Sequence, residues 1–207
     1  MPVDLPPPDP GIEISIASQG MSKGLRQTDG PQLLARAELA LGAVALGGYA
    51  KNVSSATADG EAGLSLQLRG RAGGFELAAS VAYKFNTGAA LQDDRDAIEL
   101  TASIGRRLGP LQPRLSVTYS PDELGGTRES LYVEGGVALA VAPGASLSAH
   151  LARRERAGGP DYTAFNLGAS YAAAPFLTLD LRYHDTAQSG LGAIYRPRLV
   201  ASLRARF

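Results

Sequence analysis

The chain has 207 residues, 20 acidic and 20 basic side chains, no cysteine and a mean hydropathy of -0.05. The zero net charge argues against a dedicated polyanion binder, and the lack of cysteine excludes disulfides, thiolate nucleophiles and zinc–thiolate sites. No run approaches the ~18 consecutive apolar residues of a membrane helix. A soluble β-protein and a transmembrane β-barrel both stay open, because barrel strands are only half apolar.

The first ten residues, MPVDLPPPDP, are rich in proline and acidic. We expect residues 1–10 to form a disordered lead on the periplasmic side, followed by the folded domain at 11–207. This segment lacks the apolar stretch that a secretory leader contains. We therefore expect Met1 to be a start residue added in front of a mature N-terminus.

Strand-like segments follow one another from residue 11 to the end. In the first of them, Ile12, Ile14 and Ile16 alternate with polar residues, which is the period of a half-buried strand. Twelve segments show this alternation, and most approach the ~9–11 residues that a tilted strand needs to cross a bilayer. They are 11–18, 32–41, 43–51, 61–70, 75–85, 97–106, 113–120, 131–141, 146–153, 164–171, 176–183 and 196–207.

The stretch QLLARAELALGAVAL, at 32–46, contains many good helix formers and on its own could be a helix. In the neighbouring segments, however, apolar and polar residues alternate as they do in a strand, and glycines separate these segments from one another. We therefore predict two strands around Gly42 instead of a helix.

The predicted connections alternate strictly between long and short. Short turns with long, polar loops are typical of outer-membrane barrels, which have tight periplasmic turns and longer extracellular loops. The long connections are 19–31, 52–60, 86–96, 121–130, 154–161 and 185–193, and the short ones are 41–42, 71–74, 108–111, 142–145 and 172–175.

One face of the predicted strands is aliphatic, with aromatic residues near its ends, as the interfacial aromatic girdles of a barrel require. We expect these rings to form two bands that border the lipid. One band, beside the long loops, consists of Tyr83, Phe85, Tyr119, Phe165, Tyr183 and Tyr195, and the other of Phe75, Tyr171, Phe176 and Phe207.

The other face carries many charges. The solvated face of a soluble sheet would explain each charge alone, but on a barrel they must face the lumen, because an arginine among lipid tails costs roughly 2–4 kcal/mol. This face carries ten basic and seven acidic side chains, if Glu61 and Arg154 are counted together with the charged residues named below. The excess of basic side chains predicts a mild preference for anions. The predicted pore-lining residues are Glu13, Arg36, Glu38, Lys51, Arg69, Glu76, Lys84, Glu99, Arg114, Glu134, His150, Asp180, Arg182, Arg198, Arg204 and Arg206.

The C-terminus, ASLRARF, alternates apolar and polar residues and ends on Phe207. Bacterial outer-membrane barrels commonly end in this way. We expect the outer-membrane barrel assembly machinery to recognise Phe207.

The stretch SQGMSKGLRQTDGPQL, at 18–33, resembles an N-terminal signature of the TorF-type porin family of proteobacteria. Residues 23–29 and Pro31 occupy the places of the signature, although Lys23 replaces the usual arginine, Arg26 the usual serine, and the preceding aromatic residue is missing. The resemblance implies an outer-membrane β-barrel of porin type and supplies no substrate. Lys23, Arg26 and Asp29 either fold inward and pair near the pore mouth or form a solvent-exposed loop.

An enzyme site is disfavoured. His150 shares a face with Ser148 and with Asn166 of the next strand, but a hydrogen-bonding role in the lumen fits it better than catalysis. His184 and Asp185 suggest a solvated loop contact more than a metal site, and Asp93–Asp94 could at most bind a divalent cation weakly. We predict no catalytic residue, no metal and no cofactor.

The sequence thus predicts an all-β protein, a transmembrane antiparallel up-and-down β-barrel of about twelve strands with both termini periplasmic. We expect it in the bacterial outer membrane, as a passive channel whose partners are the lipid bilayer, small hydrophilic solutes and the assembly machinery, with no nucleic acid. The alternatives are a non-conducting structural or adhesive barrel, a soluble β-barrel binding protein and, last, a barrel enzyme.

Overall fold

The computed structural model describes residues 7–54, 58–88 and 95–207 of the chain. They form a closed barrel of twelve antiparallel strands, which confirms the predicted fold class. Residues 1–6 and the Asp93–Asp94 pair, for which the sequence allows at most weak cation binding, lie outside the described part. The barrel strands are β1 (Asp9–Ala17), β4 (Gln32–Leu41), β5 (Val44–Asn52), β6 (Gly60–Ala72), β7 (Phe75–Thr87), β8 (Asp96–Arg106), β9 (Leu111–Glu123), β10 (Arg128–Ala142), β11 (Ala145–Arg156), β12 (Tyr162–Ala174), β13 (Leu177–Asp185) and β14 (Arg198–Arg206).

The ring closes where the first strand meets the last. Each barrel strand pairs with its neighbour in the chain, and β1 pairs with both β4 and β14. Ile12 and Phe207 exchange both backbone hydrogen bonds, at 2.9 and 2.8 Å. Because the number of strands is even, both termini lie at the end of the barrel that carries the short turns.

The stretch at 32–46 forms two strands, as the glycine pattern indicated. Gly42 has φ of 64°, a conformation that glycine adopts at little cost and that turns the chain within two residues. Leu41 and Val44 pair directly across this turn. Tertiary pairing therefore overrides the helix propensity of the alanines and leucines.

The aliphatic side chains point away from the barrel. Ile14, Leu66 and Leu181 are each between 42 and 49% exposed, whereas polar side chains of the same strands, Glu13, Glu61 and Arg182, face inward and contact polar side chains of other strands. The protein has its apolar belt on the outside, as a lipid-facing barrel does. No helix in the described ranges is long and apolar enough to cross a membrane.

Aromatic rings border this belt at both ends. Tyr83 lies 6.0 Å from Phe85 beside the long loops, and Phe176 stacks on Phe207 at 6.2 Å beside the short turns. Tyr195 differs from the expectation: it is only 5% exposed and lies inside the barrel, because a 3-10 turn at Ala193–Tyr195 directs it inward.

Several element bounds differ from the prediction. β9 continues to Glu123 and β10 begins at Arg128, so that most of the predicted loop at 121–130 is paired strand. Two short strands, β2 (Met21–Ser22) and β3 (Leu25–Arg26), form a hairpin within the first long connection. β1 begins at Asp9, two residues before the predicted boundary.

Candidate functional site in the lumen

The first loop, residues 18–31, folds into the barrel instead of extending from it. Its tip is the turn between β2 and β3, where Lys23 and Gly24 both have positive φ, 48° and 81°. This is the geometry of a two-residue type I′ hairpin turn. A Cβ at Gly24 would overlap the Cβ of Ala164 in β12, so the turn also needs glycine for its close packing on the wall.

The tip of the first loop reaches the opposite side of the barrel. The loop starts from β1, and β9 is six strands away from β1 in either direction around the twelve-stranded ring. The Nζ of Lys23 nevertheless lies 2.6 Å from the carboxylate of Glu123 at the end of β9. The Tyr162 hydroxyl also donates a hydrogen bond to the Lys23 carbonyl at 2.6 Å. The first loop therefore crosses the lumen.

Five side chains, which we call the Lys23 cluster, meet at this crossing: Lys23, Lys84, Glu99, Glu123 and Arg154. Lys84 lies 2.8 Å from Glu99 and 2.9 Å from Glu123, and Arg154 lies 2.7 Å from Glu123. Lys23 also contacts Glu99. Three cations thus share two carboxylates. Burial and the nearby Lys84 ammonium lower the pKa of Lys23 below its ordinary value, although Glu123 and Glu99 favour its charged form.

A second polar group ties the first loop to the strands beside its root. Lys51 pairs with Glu61 at 3.1 Å and donates a hydrogen bond to the Gln27 side chain of the loop at 2.7 Å. Glu61 also accepts a hydrogen bond from the Tyr49 hydroxyl at 2.6 Å. The loop is therefore held on two sides of the lumen by charge-assisted contacts, which are the stronger kind of hydrogen bond.

A small apolar cluster lies beside the crossing. It consists of Leu25, Tyr162, Ala164 and Tyr195, all under 9% exposed, with the two tyrosine rings edge to face at 5.6 Å. The guanidinium of Arg156 lies over both rings, at 5.1 and 5.9 Å from their centroids. The first loop and the 186–197 loop thus pack together inside the mouth.

The described residues line several cavities inside the barrel, among them an outer and an inner vestibule. The outer vestibule, about 530 Å³, is lined by the first loop and by Glu61, Lys84, Glu123 and Arg154, among others. The inner vestibule, about 570 Å³, is lined by residues of β6 to β9, including Arg69, Glu76 and Arg114, and by no residue of the first loop.

Most of the predicted pore-lining residues lie in ion pairs or hydrogen bonds on the inner wall. Lys51, Lys84 and Glu99 belong to the contacts of the first loop described above. Four further pairs lie along the wall: Glu38–Arg69 at 2.5 Å, Glu13–Arg204 at 3.7 Å, Glu134–His150 at 3.4 Å and Asp180–Arg182 at 3.1 Å. Glu76 pairs with Arg71 at 3.2 Å near a short turn.

Four predicted residues have no ion pair within the described ranges. Arg114 donates a hydrogen bond to Ser103 at 3.2 Å, and Arg198 to the Ala193 carbonyl at 2.9 Å. Arg36 and Arg206 flank Glu13 in the strand register, one on each neighbouring strand. The wall therefore keeps more unneutralised positive than negative charge.

Large wall side chains lie flat over glycines of neighbouring strands. A Cβ at Gly136 would overlap the ring of His150, and one at Gly168 would overlap the guanidinium of Arg182. Arg182 is held there by hydrogen bonds to Asn166 at 2.6 Å and Ser148 at 3.0 Å. These glycines let long polar side chains follow the wall instead of pointing into the lumen.

Of the two interpretations of the first-loop charges, the inward one holds for Lys23, whereas Arg26 pairs with Asp29, whose side chain is 71% exposed. Glu123 lies on the inner wall, although the sequence predicts a loop at this position. The inward position of Tyr162 was not predicted either. The letters SKGL, with glycine second in a two-residue turn, were the one local signal of the hairpin.

The histidines show no catalytic arrangement. The Ser148 hydroxyl accepts a hydrogen bond from Arg182, and His150 faces Glu134 instead of Ser148. Asp185 accepts hydrogen bonds from its neighbours, the Ala187 backbone N–H at 2.9 Å and the Tyr183 hydroxyl at 3.3 Å. Within the described ranges, no three His, Asp or Glu side chains are grouped as metal ligands.

The fold is that of outer-membrane porins. The KdgM porin covers 95% of this chain and 99% of its own, with a TM-score of 0.69 and 9% identity. The NanC porin gives 0.65 with 7% identity, over 95% and 98% of the two chains. The COG4313 outer membrane channel from Pseudomonas putida F1 gives 0.55 with 15% identity, over 100% and 96%.

The sequence comparisons identify the family. No curated protein sequence matches the chain. Residues 38–200 match the profile of a family described as a bacterial protein of unknown function, Gcw_chp. This match covers most of the barrel, from β4 to the start of β14. The chain therefore belongs to the Gcw_chp family.

Proposed function

We propose that the protein is a channel of the bacterial outer membrane through which small hydrophilic solutes diffuse passively. The observation that carries the proposal is the pairing of an aliphatic outer surface with a charged inner wall in a closed twelve-stranded ring. Twelve strands exceed the ~8 whose inward side chains alone can fill a barrel. A soluble barrel would expose the aliphatic surface to water, which disfavours the soluble binding protein.

We further propose a mild preference for anions. Arg36, Arg114 and Arg206 carry charges that no ion pair neutralises within the described ranges, whereas Glu13 and Glu38 each pair with an arginine. Wall charges of one sign raise the local concentration of counter-ions in a narrow aqueous passage.

The direct test is conductance of the refolded protein in planar lipid bilayers. We expect discrete channel steps, and a reversal potential in a KCl gradient that shows chloride to be more permeant than potassium. Cation selectivity would contradict the anion preference without affecting the channel proposal. The absence of any steps would contradict the channel proposal itself.

The TorF-type resemblance of residues 18–33 supports the same assignment, and we propose that the chain is a porin of that type. The lipid bilayer and the barrel assembly machinery would be its partners, the latter through Phe207. The terminal ring is 69% exposed and thus accessible for recognition.

One observation favours a second candidate, the non-conducting structural barrel. The first loop crosses the lumen and is tied to the opposite wall by Lys23. If these contacts close the lumen permanently, neither ions nor sugars will pass the wild-type protein, and passage will appear only in a variant that lacks the hairpin at 21–26.

A further inference from the structure

The polar contacts of the hairpin tip with the far wall depend on one residue. Lys23 reaches Glu99 in β8 and Glu123 in β9 through its ammonium group, and Tyr162 in β12 through its carbonyl. Gly24 packs on Ala164 but contributes no polar contact there. The Lys23 ammonium is therefore the charged link between the first loop and the far wall.

The hairpin also lies between the two vestibules. The outer vestibule includes Ser22, Lys23 and Leu25 in its lining, whereas the inner vestibule is lined by wall residues alone. A solute that moves from one to the other must pass the segment that crosses the lumen.

We propose that the hairpin at residues 21–26 is a tethered barrier between the vestibules, and that Lys23 is the residue that determines the largest solute able to pass. The proposal rests on the proposed channel function. Removal of the Lys23 side chain frees the hairpin tip from β8 and β9, because the other contacts described above hold the loop to β12 and, through Gln27, to Lys51 of β5.

Lys84 provides a matched comparison. It contacts the same two carboxylates as Lys23, at 2.8 and 2.9 Å, but it belongs to β7 and is therefore part of the wall. Removing either ammonium removes one positive charge at the same place. Removal of Lys84 leaves the contacts of Lys23 with Glu99 and Glu123 in place and therefore does not release the hairpin.

The experiment measures liposome swelling with neutral sugars from monosaccharides to tetrasaccharides, since neutral solutes do not respond to the charge itself. For Lys23→Ala we expect larger sugars to enter and the single-channel conductance to rise at least about twofold. For Lys84→Ala we expect the wild-type size limit, together with a selectivity shift of the same sign as in Lys23→Ala. Tyr162→Phe, which alters no charge but deletes the hydrogen bond to the Lys23 carbonyl, should raise the size limit as well.

A variant in which two glycines replace residues 21–26 separates this proposal from the channel proposal. Equal size limits in wild type, Lys23→Ala and the hairpin-deleted variant, all of them permeable to the smallest sugar, would overturn the barrier and leave the channel intact. If no variant passes the smallest sugar, the channel proposal is wrong and the barrier proposal with it. Heat-modifiable mobility on gels confirms that each variant has folded, and Lys23→Gln is the substitute should Lys23→Ala fail to fold.

Discussion

At the scale of single residues, Glu123 stands out for the number of charged side chains around its carboxylate. Its carboxylate contacts Lys23, Lys84 and Arg154, and it accepts a hydrogen bond from Ser130 at 2.8 Å. The side chain is only 7% exposed. When one partner of a buried ion pair is removed, the remaining charge stays buried without a counter-charge. The resulting loss of stability is larger than the net stabilisation that the pair provides.

We expect Glu123→Gln to lower the free energy of unfolding by about 3 kcal/mol, because three buried cations lose their shared counter-charge. Urea unfolding in lipid vesicles measures this. The control is Glu155→Gln, whose 60% exposed side chain lies 4.0 Å from Arg153 and whose loss should cost under about 0.5 kcal/mol. Equal losses in the two variants would show that the Lys23 cluster contributes little to stability.

The glycines under the wall side chains give a second prediction at this scale. An alanine at Gly136 would displace the His150 ring toward the lumen, whereas a Cβ at the adjacent Gly135 would meet open space and would face the other way along β10. We expect Gly136→Ala to reduce single-channel conductance by less than about twofold and Gly135→Ala to leave it unchanged. Equal conductance in both variants would mean that His150 does not border the path of the ions.

At the scale of elements, the strands could be predicted because their signal is local. The alternation in segments such as 97–106 is visible without knowledge of any partner strand, and glycine marks the turn at Gly42. The hairpin of the first loop could not be placed in this way. Its position depends on Glu123 and Tyr162, which are 100 and 139 residues away in the chain.

The predicted bounds of β9 and β10 were wrong for a related reason. The segment PDELGGTRES has the composition of a polar loop, yet Arg128 pairs with Glu123 across a register shift. Inward-facing polar residues of a barrel look like loop residues in a sequence, because both tolerate charge. The inner wall was therefore better predicted in the middle of the strands than near the outer mouth.

The last strand provides a prediction about assembly. We expect Phe207→Ala to reduce the amount of folded barrel in the outer membrane, since the proposed recognition signal is lost, and to leave refolding of the purified chain unaffected, because the backbone hydrogen bonds with Ile12 remain. Phe176→Ala is the matched control, because it removes the ring that stacks on Phe207 and keeps the terminus. Heat-modifiable mobility measures both, and equal amounts of folded protein in the two variants would contradict the role of the terminal residue.

At the scale of the whole molecule, the net charge of zero conceals an uneven distribution. The lipid-facing surface is aliphatic, while the charged side chains are collected on the inner wall and in the loops. In the proposed channel, selectivity would therefore come from the balance of charge on the inner wall. That balance depends on which arginines lack an acidic partner, and only the three-dimensional structure reveals this.

We expect the triple variant Arg36→Glu, Arg114→Glu and Arg206→Glu to reverse the ion preference to cations. The effect should be larger in 0.1 M than in 1 M salt, because the Debye length shortens from ~10 to ~3 Å. Reversal potentials measure it. The control is Arg153→Glu, at a site in β11 that is half exposed and faces outward. It should leave the reversal potential unchanged. An unchanged preference in the triple variant would contradict the assignment of these arginines to the ion path.

The crossing of the first loop also has a mechanical consequence. A ring of strands in a bilayer is pressed by lipids from all sides and deforms most easily into an ellipse. Here a chain segment joins the side of β1 and β4 to β9, six strands away, through Lys23 and Glu123. Elongation of the ring along that diameter would stretch these contacts. In the proposed channel, the first loop would resist this elongation, and its release would change the shape of the outer mouth as well as its free width.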